Sequence, residues 1–381
     1  MKVAIVHDYL NQYGGAERVL DELHAIWPDA PVMVAIHDPA RMPPRYREWD
    51  IRASRLNRLP FANRKHQALL PFLPRAFEGF DLGGFDLVVS SSSGFAHGVL
   101  TDPDACHVCY CHSPPRFLWD YHRYAERERL GRAVRGLIEP RLARLRVWDR
   151  VSADRVDDWV CTSRVVRARV KKYYGTDGAI IPPPVPIERF EPGRGRGGYF
   201  LMLMRLVGWK RPDLVVEACT RLGLDLVVAG DGRDEARLRA LAGPTVRFVG
   251  RVDDERMRSL YRDCRALILP SEEDFGITPL EAMASGRPVV AYGRGGALDT
   301  VVAGVTGAFF AEQTVDSLAE VLGRFDDGAY DPAALRAHAE RYDSAAFRAR
   351  FQRHATAALA RHRGDIAGPP PRARPVLEAA G

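Results

Sequence analysis

The chain has 381 residues, a length that indicates two or three domains at about 100–200 residues per domain. Because 46% of its residues are hydrophobic, it can build sizeable cores, which excludes a globally disordered protein. The net charge of +6 is weak evidence about partners, because arginine so far outnumbers lysine that we attribute the basic balance to a GC-rich genome.

The first half alternates short apolar runs with helical patterns. Each run leads into a loop rich in glycine, serine or proline, and the first helical pattern places apolar residues on one face. This alternation predicts an α/β domain with a parallel, doubly wound sheet. The predicted strands are Val3–Val6, Asp86–Val89, His107–Cys111 and Trp159–Thr162.

The composition changes around residues 178–198. Three consecutive prolines at 182–184 and four glycines within 193–198 are incompatible with the interior of a helix. We therefore predict an N-terminal domain over residues 1–182 and a linker over residues 183–198.

A second alternating series follows this linker and predicts another doubly wound domain over residues 199–343, with a cleft between the two domains. Its predicted strands are Tyr199–Met204, Leu226–Ala229, Val246–Val249, Ala266–Pro270 and Pro288–Tyr292. Its predicted helices lie near 211–221, 234–241, 254–263, 278–285 and 296–303. A last helix over about 344–362 could pack back on the first domain, and the tail over 364–381 is predicted to be disordered.

Positive charge is concentrated in residues 116–172, which hold 16 basic and 8 acidic side chains, a balance of +8. Residues 127–150, where arginine alternates with apolar side chains, and the apolar residues of 69–80 could rest on an anionic bilayer. A helix pair that covers the sheet and turns its arginines to water is an equally good interpretation. We expect no nucleic-acid partner.

No apolar run approaches the roughly 18 residues of a membrane span. The four apolar residues after Lys2 are too few for the core of a signal peptide. We therefore expect a cytoplasmic protein with reduced cysteines, and peripheral binding to the inner face of the cell membrane is an option.

Three cysteines and two histidines between Cys106 and His112 suggest a zinc cluster at first sight. In an extended strand, however, Cys109 and Cys111 share a face that Cys106 does not, and no second CxxC completes a set of four ligands. The acidic pair in Asp102-Pro-Asp104 precedes a strand, whereas a metal-binding pair of a transferase would follow one. We predict no metal site and no cofactor.

Two loops carry residues that suit an anionic ligand. The loop after the first strand lacks GxGxxG, which argues against a dinucleotide-binding dehydrogenase, but Gly14-Gly15 before a helix would let backbone N–H groups approach an anion. After the strand at 199–204, Arg205 and Lys210 could neutralise a diphosphate without a metal. The alternative explanations are a simple turn for Gly14-Gly15 and a pair of ordinary surface cations for Arg205 and Lys210.

The most informative segment runs from Ser271 to Gly286 and contains an acidic loop, a helix and a glycine between two strands. Glu273 lies in the loop, and Glu281 follows it after seven intervening residues, in the first turn of the helix. Thr278-Pro-Leu-Glu281 has the pattern of a helix capping box with Thr278 as the N-cap. That pattern explains Glu281 on structural grounds alone, but it does not explain Glu273.

Glu-x7-Glu in this setting resembles the signature of retaining glycosyltransferases of family 4, which have the GT-B fold of two Rossmann-like domains facing a cleft. The resemblance covers roughly residues 1–360, and the N-terminal segments are most similar to bacterial mannosyltransferases of surface polysaccharide synthesis. Met204 departs from the pattern, because many relatives have glycine before the arginine. The other matching motifs are Arg205-x4-Lys210, Ala229-Gly230-Asp231-Gly232, Phe248-Val-Gly250-Arg251, Gly304-Val-Thr306-Gly307, Gly14-Gly15 and Tyr110-Cys111-His112-Ser-Pro.

The resemblance also implies roles for individual residues. Arg205 and Lys210 would hold the diphosphate of a nucleotide-sugar donor, Glu281 would accept hydrogen bonds from the ribose hydroxyls, and Glu273 would bind the transferred sugar. His112 would lie near the reacting centre and the acceptor. The remaining donor-binding positions that the resemblance implies are Gly14, Gly15, Gly230, Asp231, Arg251, Phe275, Gly276 and Ile277.

The implied activity is a metal-independent hexosyl transfer that retains the anomeric configuration, with GDP-mannose as the expected donor and a lipid-linked or saccharide acceptor. A donor with uridine in place of guanosine is one alternative. A nucleotide-sugar 2-epimerase is another, although Glu-x7-Glu favours transfer. A non-catalytic nucleotide-sugar-binding protein is the third, although it would be expected to have lost Glu273, Lys210 or His112.

Overall fold

The structure, a computed structural model, describes residues 1–60, 62–63, 66–121 and 132–367. It contains two parallel sheets, one in each half of the chain, and helices pack on both. This arrangement confirms the predicted α/β class with two doubly wound halves.

The N-terminal sheet has seven parallel strands in the order β3-β2-β1-β4-β5-β6-β7. Its strands are β1 (Val3–Leu10), β2 (Val32–His37), β3 (Ile51–Ala53), β4 (Leu87–Ser92), β5 (Cys106–Cys111), β6 (Asp158–Cys161) and β7 (Ala179–Ile180). The helices of this half are α1 (Gly15–Ile26), α2 (Leu73–Glu78), α3 (Arg116–Trp119), α4 (Arg132–Ser152) and α5 (Arg164–Tyr174).

The C-terminal sheet has six parallel strands in the order β10-β9-β8-β11-β12-β13. Its strands are β8 (Tyr199–Leu203), β9 (Leu226–Ala229), β10 (Val246–Gly250), β11 (Cys264–Leu269), β12 (Val289–Tyr292) and β13 (Gly307–Phe310). The helices of this half are α6 (Pro212–Leu222), α7 (Glu235–Leu241), α8 (Asp254–Asp263), α9 (Ile277–Ala284), α10 (Ala297–Thr300), α11 (Val315–Gly323) and α12 (Pro332–Glu340).

The last helix, α13 (Ser344–Ala367), packs on the N-terminal half. Phe347 and Phe351 are buried in the same cluster as Val108 and Tyr110 of β5. Residues 364–367, which we expected in a disordered tail, are instead the end of this helix, and residues 368–381 lie outside the described residues.

The strand order reverses once in each sheet, between β1 and β4 in the first and between β8 and β11 in the second. In doubly wound sheets, ligands bind beyond the carboxyl ends of the strands at such switch points. Gly14-Gly15 follows β1, Arg205 follows β8, and Glu273 follows β11. These predicted site residues therefore follow the strand ends beyond which ligands bind in sheets of this topology.

Strand β4 is longer than predicted, because it includes three serines that we had assigned to a loop. Ser90, Ser91 and Ser92 are buried, and each hydroxyl forms a hydrogen bond with a histidine ring, at 2.8 Å for His107, 2.8 Å for His112 and 3.3 Å for His97. These partners replace water for the serine hydroxyls, so the strand can continue into the interior.

The apolar residues of 69–80 do not form the exposed surface that a membrane-binding segment needs. Leu69, Leu73 and Phe77 are buried in the core of the N-terminal half, and Phe72 is the large apolar side chain of this segment that is mostly exposed, at 57%. Part of the basic stretch, residues 122–131, lies outside the described residues. None of the helices in the described ranges combines the length and the hydrophobicity needed to cross a bilayer.

Candidate functional site

The glycine loop of the first half lies directly against the C-terminal half. Gly14 is the N-cap of α1, and its N–H donates to Glu17 Oε2 at 2.7 Å. A side chain on Gly15 would begin 3.3 Å from Ile277 Cδ1, at the start of α9. The structure therefore brings together two segments that the sequence analysis assigned to the donor, and a side chain at Gly15 would contact Ile277 closely.

Lys210 and Glu273 form an ion pair across the loops that follow β8 and β11. Lys210 Nζ donates to Glu273 Oε1 at 2.9 Å, and the Ser271 hydroxyl donates to the same oxygen at 2.6 Å. Burial alone would raise the pKa of Glu273, but the charge and hydrogen bond of Lys210, together with the hydrogen bond of Ser271, hold it below its usual value. Glu273 is therefore a charged acceptor at neutral pH.

The backbone of the Glu273 loop is fixed by the glycines that follow β12. Gly296 N donates to the Glu273 carbonyl at 2.8 Å, and a side chain at Gly296 would lie 2.3 Å from the backbone of Phe275. Phe275 itself is buried in the core of the C-terminal half. This close approach sets the position of Glu273, and the sequence analysis did not find it.

Helix α9 begins two residues earlier than the capping box predicted. Ile277 is its first residue, and Gly276, with a φ of 89°, is its N-cap; the assignment of Thr278 as the N-cap was therefore wrong. The N–H groups of Phe275, Gly276 and Ile277 make no hydrogen bond to another described residue. An anion at this helix start would find donors and the positive end of the helix dipole.

Glu281 does not serve as a cap. Its Oε1 accepts a hydrogen bond from Arg18 of α1 at 2.7 Å, and its Oε2 accepts one from the Tyr261 hydroxyl at 2.8 Å. The carboxylate is buried, with 3% of its side chain exposed. Arg18 thus links the N-terminal half to the residue assigned to the ribose, and no local pattern in the sequence signals this contact.

Three predicted donor residues lie at the ends of β8, β9 and β10. Arg205 is exposed and makes no side-chain hydrogen bond or ion pair with another described residue, and Asp231 and Arg251 are also exposed. Gly230 has a structural reason to be glycine, because a side chain there would lie 2.0 Å from the Met204 carbonyl.

His112 follows β5 and is partly buried at the cleft edge of the N-terminal half. Its Nε2 lies 2.8 Å from the Ser91 hydroxyl. Burial, with a smaller contribution from the nearby ring of His7, lowers the pKa of His112 to about 3. His112 is therefore neutral at physiological pH and cannot act there as a stored positive charge.

Asp274, which sequence reasoning missed, holds the two halves together beside Glu273. Its carboxylate pairs with Arg169 of α5 and lies 3.5 Å from Arg116 of α3, while its carbonyl accepts a hydrogen bond from Ser163. A cavity of about 390 Å³ opens next to this contact. Both halves line it, with Pro114, Arg116, Trp119, Asp120, Val165, Arg169, Tyr173 and Glu272.

The cysteines of β5 are packed as predicted, on two faces of the sheet. Cys106 lies in one core cluster and Cys109 and Cys111 in another. Among the described residues, the one group with metal-ligand spacing is Cys106, Asp157 and His362. This group lies where β5 and β6 begin, at the amino ends of strands of the N-terminal sheet, and Asp102 and Asp104 also precede β5. Glu273 and Lys210, in contrast, lie beyond the carboxyl ends of strands of the C-terminal sheet.

Each half of the chain matches a known protein-family model. Residues 13–189 match the family model for Glycosyltransferase Family 4, and residues 186–340 match the model for Glycosyl transferases group 1. The two matches together extend from the glycine loop to the end of α12.

Similar curated proteins match only part of the chain. Glycogen synthase of Mycobacterium tuberculosis is 36% identical over 127 residues, which are 32% of this chain and 30% of the relative. Alpha-1,3/1,6-mannosyltransferase ALG2 of Dictyostelium discoideum is 39% identical over 93 residues, 24% of this chain and 22% of the relative. The match therefore spans less than a third of the length of either relative.

Solved structures resemble nearly the whole chain. Sucrose-phosphate synthase from Thermosynechococcus elongatus has a TM-score of 0.72 at 17% identity, over 95% of this chain and 100% of its own. Anabaena HepE, solved in complex with UDP, has a TM-score of 0.69 at 16% identity, over 94% and 100% of the two chains. These likenesses show the GT-B fold. Within this fold, the N-terminal half of the chain matches the Glycosyltransferase Family 4 model and the C-terminal half matches the Glycosyl transferases group 1 model.

Proposed function

We propose that the protein is a retaining glycosyltransferase that moves a hexose from a nucleotide-sugar donor to an acceptor hydroxyl. The observation that carries this proposal is the convergence of Lys210, Glu273 and Glu281 with the Gly14-Gly15 loop at the facing edges of the two sheets. A buried carboxylate beside the glycine loop suits a ribose diol. An ammonium and unpaired N–H groups at a helix start suit a diphosphate.

The proposed chemistry needs positive charge more than it needs a protein base. The transferred sugar becomes cationic as its bond to the diphosphate breaks, and the leaving phosphate gains negative charge. Lys210, Arg205 and the N-terminus of α9 would stabilise that charge without a divalent ion. In a retaining reaction the acceptor approaches from the face of the leaving group, so the phosphate oxygen can take the acceptor proton.

GDP-mannose is the proposed donor. Two similar proteins support it: ALG2, which is named a mannosyltransferase, and a Corynebacterium glutamicum protein that is named a GDP-mannose-dependent mannosyltransferase, 29% identical over 49% of this chain and 58% of its own length. A UDP-sugar is the second candidate, because HepE was solved with UDP and with UDP-glucose. The exposed side chains of Asp231 and Arg251 do not by themselves select a base.

A thermal-unfolding screen of nucleotide sugars tests the donor. A ligand at 100 times its Kd stabilises the folded state by about 2.7 kcal/mol, which raises the midpoint by several degrees. We expect GDP-mannose and GDP to raise it more than UDP-glucose and UDP. A rise with UDP and UDP-glucose alone would mean that the donor is a UDP-sugar and not GDP-mannose. If none of the nucleotides raises the midpoint, the proposed function is contradicted.

The acceptor is proposed to be a lipid-linked or growing saccharide bound on the N-terminal side of the cleft. The cavity beside Asp274 is lined by Trp119 and Tyr173, which offer aromatic contacts for a sugar, and by Arg116, Arg169 and Glu272, which can hydrogen-bond to its hydroxyls. The two alternative activities are separable by assay. Conversion of the nucleotide sugar without an acceptor would favour the 2-epimerase, and binding without conversion would favour the non-catalytic protein.

Peripheral binding to an anionic membrane is proposed from α4. Val147 and Val151 are exposed, at 66% and 56%, one turn apart and near Arg144 and Arg150. Such a face could attract acidic headgroups and bury its apolar side chains in the interface. Flotation with anionic vesicles at low salt is expected to carry the protein upward, and Val147→Asp with Val151→Asp should reduce this. If the wild type does not float with the vesicles, the proposed membrane binding is contradicted.

A further inference from the structure

Ser91 of β4 lies between two histidine rings at the edge of the cleft. Its hydroxyl is 2.8 Å from His112 Nε2 and 3.1 Å from His7 Nδ1. Ser91 and His7 are almost fully buried, so water does not compete for these contacts. A hydroxyl has one hydrogen to donate, and it can therefore donate to only one of the two rings.

The contacts continue from His7 to the glycine loop. His7 Nε2 lies 3.7 Å from Glu17 Oε1, and the other oxygen of Glu17 accepts the hydrogen bond from Gly14 N at 2.7 Å. Glu17 and His7 are both buried. Three side chains thus connect the proposed donor loop with His112.

The hydrogens of this chain of contacts can be counted. At 3.7 Å the carboxylate of Glu17 is too far from His7 Nε2 for a hydrogen bond, but its negative charge favours a hydrogen on the ring nitrogen that faces it. In a neutral imidazole the second nitrogen is then an acceptor, and Ser91 donates to it. The Ser91 oxygen is left to accept from His112, which must carry its hydrogen on Nε2.

We propose that Glu17, His7 and Ser91 are positioning residues that hold His112 as the tautomer with hydrogen on Nε2, leaving Nδ1 as an acceptor for a substrate hydroxyl. His112 Nδ1 makes no hydrogen bond to another described residue, so it is available for such a contact. The substrate contact rests on the proposed function, whereas the tautomer follows from the protein alone. The neutral ring agrees with the low pKa of His112.

Long-range ¹H–¹⁵N NMR of the full chain labelled in histidine tests the tautomer directly, because the two ring nitrogens of each tautomer have distinct shifts. The signal of His112 is identified by its loss in His112→Gln. We expect the Nε2–H pattern in the wild type and a mixture of tautomers in Ser91→Ala. An Nδ1–H pattern in the wild type would overturn the proposal, whether or not the protein turns over any sugar.

Kinetics test the effect on the reaction with a matched control on the same strand. Ser90→Ala removes an equally short and buried hydrogen bond between a serine and a histidine. Its partner, His107, is not part of the proposed site. We expect Ser91→Ala to lower kcat about tenfold or more with the donor KM within twofold, Ser91→Thr to restore most of it, and Ser90→Ala to leave kcat unchanged. Equal losses in both alanine variants would contradict the positioning role.

The two proposals fail in different ways. If the wild type turns over no nucleotide sugar, the proposed function fails, while the NMR pattern still decides the tautomer. If the wild type is active and Ser91→Ala keeps full kcat, the positioning role fails and the proposed function stands. Unfolding midpoints of Ser90→Ala and Ser91→Ala separate a loss of fold from a loss of orientation.

Discussion

Replacing Lys210 with alanine is expected to lower turnover by about 10²–10³-fold, the range found when one donor aimed at developing charge is removed. Lys210 is the one lysine in the second half of the chain, and its ammonium lies at the carboxyl edge of the sheet, 2.9 Å from Glu273. Steady-state rates with the donor identified by thermal shift measure the effect. Lys172→Ala is the matched control, because Lys172 is exposed on α5.

Glu273→Ala is expected to reduce turnover to a similar extent, because the sugar would lose a charged acceptor and Lys210 would lose its partner. Glu273→Gln keeps the shape and should retain part of the binding but little of the rate. Turnover close to that of the wild type in Lys210→Ala or Glu273→Ala would refute the assignment of this pair to the reacting centre.

The same pair has a pH signature in stability. The folded-state pKa of Glu273 is lowered, so its stabilising contribution is present above the unfolded pKa of about 4.3 and is lost as the pH falls through the folded pKa. Lys210→Ala should therefore cost stability at pH 7 and cost less at pH 3. Urea unfolding of both proteins at the two pH values measures this difference.

Glu281→Gln is expected to weaken nucleotide binding by tenfold or more, since a hydrogen bond to a charged group contributes about 1.5–3 kcal/mol. Arg18 and Tyr261 each donate a hydrogen bond to one oxygen of Glu281. A ribose diol that uses the same carboxylate must compete with Arg18. Arg18→Ala should therefore bind nucleotide at least as tightly as the wild type.

Calorimetric titration with GDP or UDP separates the two variants. Arg221→Ala, which breaks the exposed pair with Asp316, is the control for a lost arginine. Weaker binding in Arg18→Ala would mean that Arg18 itself contacts the donor. Unchanged binding in Glu281→Gln would contradict the assignment of Glu281 to the ribose.

Much of the fold could be predicted from local pattern. The alternation of apolar runs and helices found nine strands, because buried parallel strands are continuous apolar segments. It missed β2, β3, β7 and β13, and it ended β4 too early, because serine in a strand looks like a loop until its buried partner is known. The helix at Glu281 was found, but its first residue was not, since Gly276 provides the N-cap in place of Thr278.

The candidate site divides in the same way. Gly14-Gly15, Arg205, Lys210 and Glu-x7-Glu could be found in the sequence, because each is a short motif after a strand. Asp274 could not, since an acidic residue beside Glu273 carries no local signal of its pairing with Arg169. The sequence likewise offered no reason to connect Ser91 with His112.

The sequence by itself located nine of the strands and the charged residues that follow them, and that was sufficient to predict a doubly wound chain with a candidate anion-binding edge in each half. Only the tertiary structure decided which of those residues meet. Arg18 and Glu281 are 263 positions apart, and Lys210 and Glu273 are 63 apart. The physical reason is that periodicity depends on neighbours within a few residues, whereas an ion pair depends on strand order and on how closely the two halves approach.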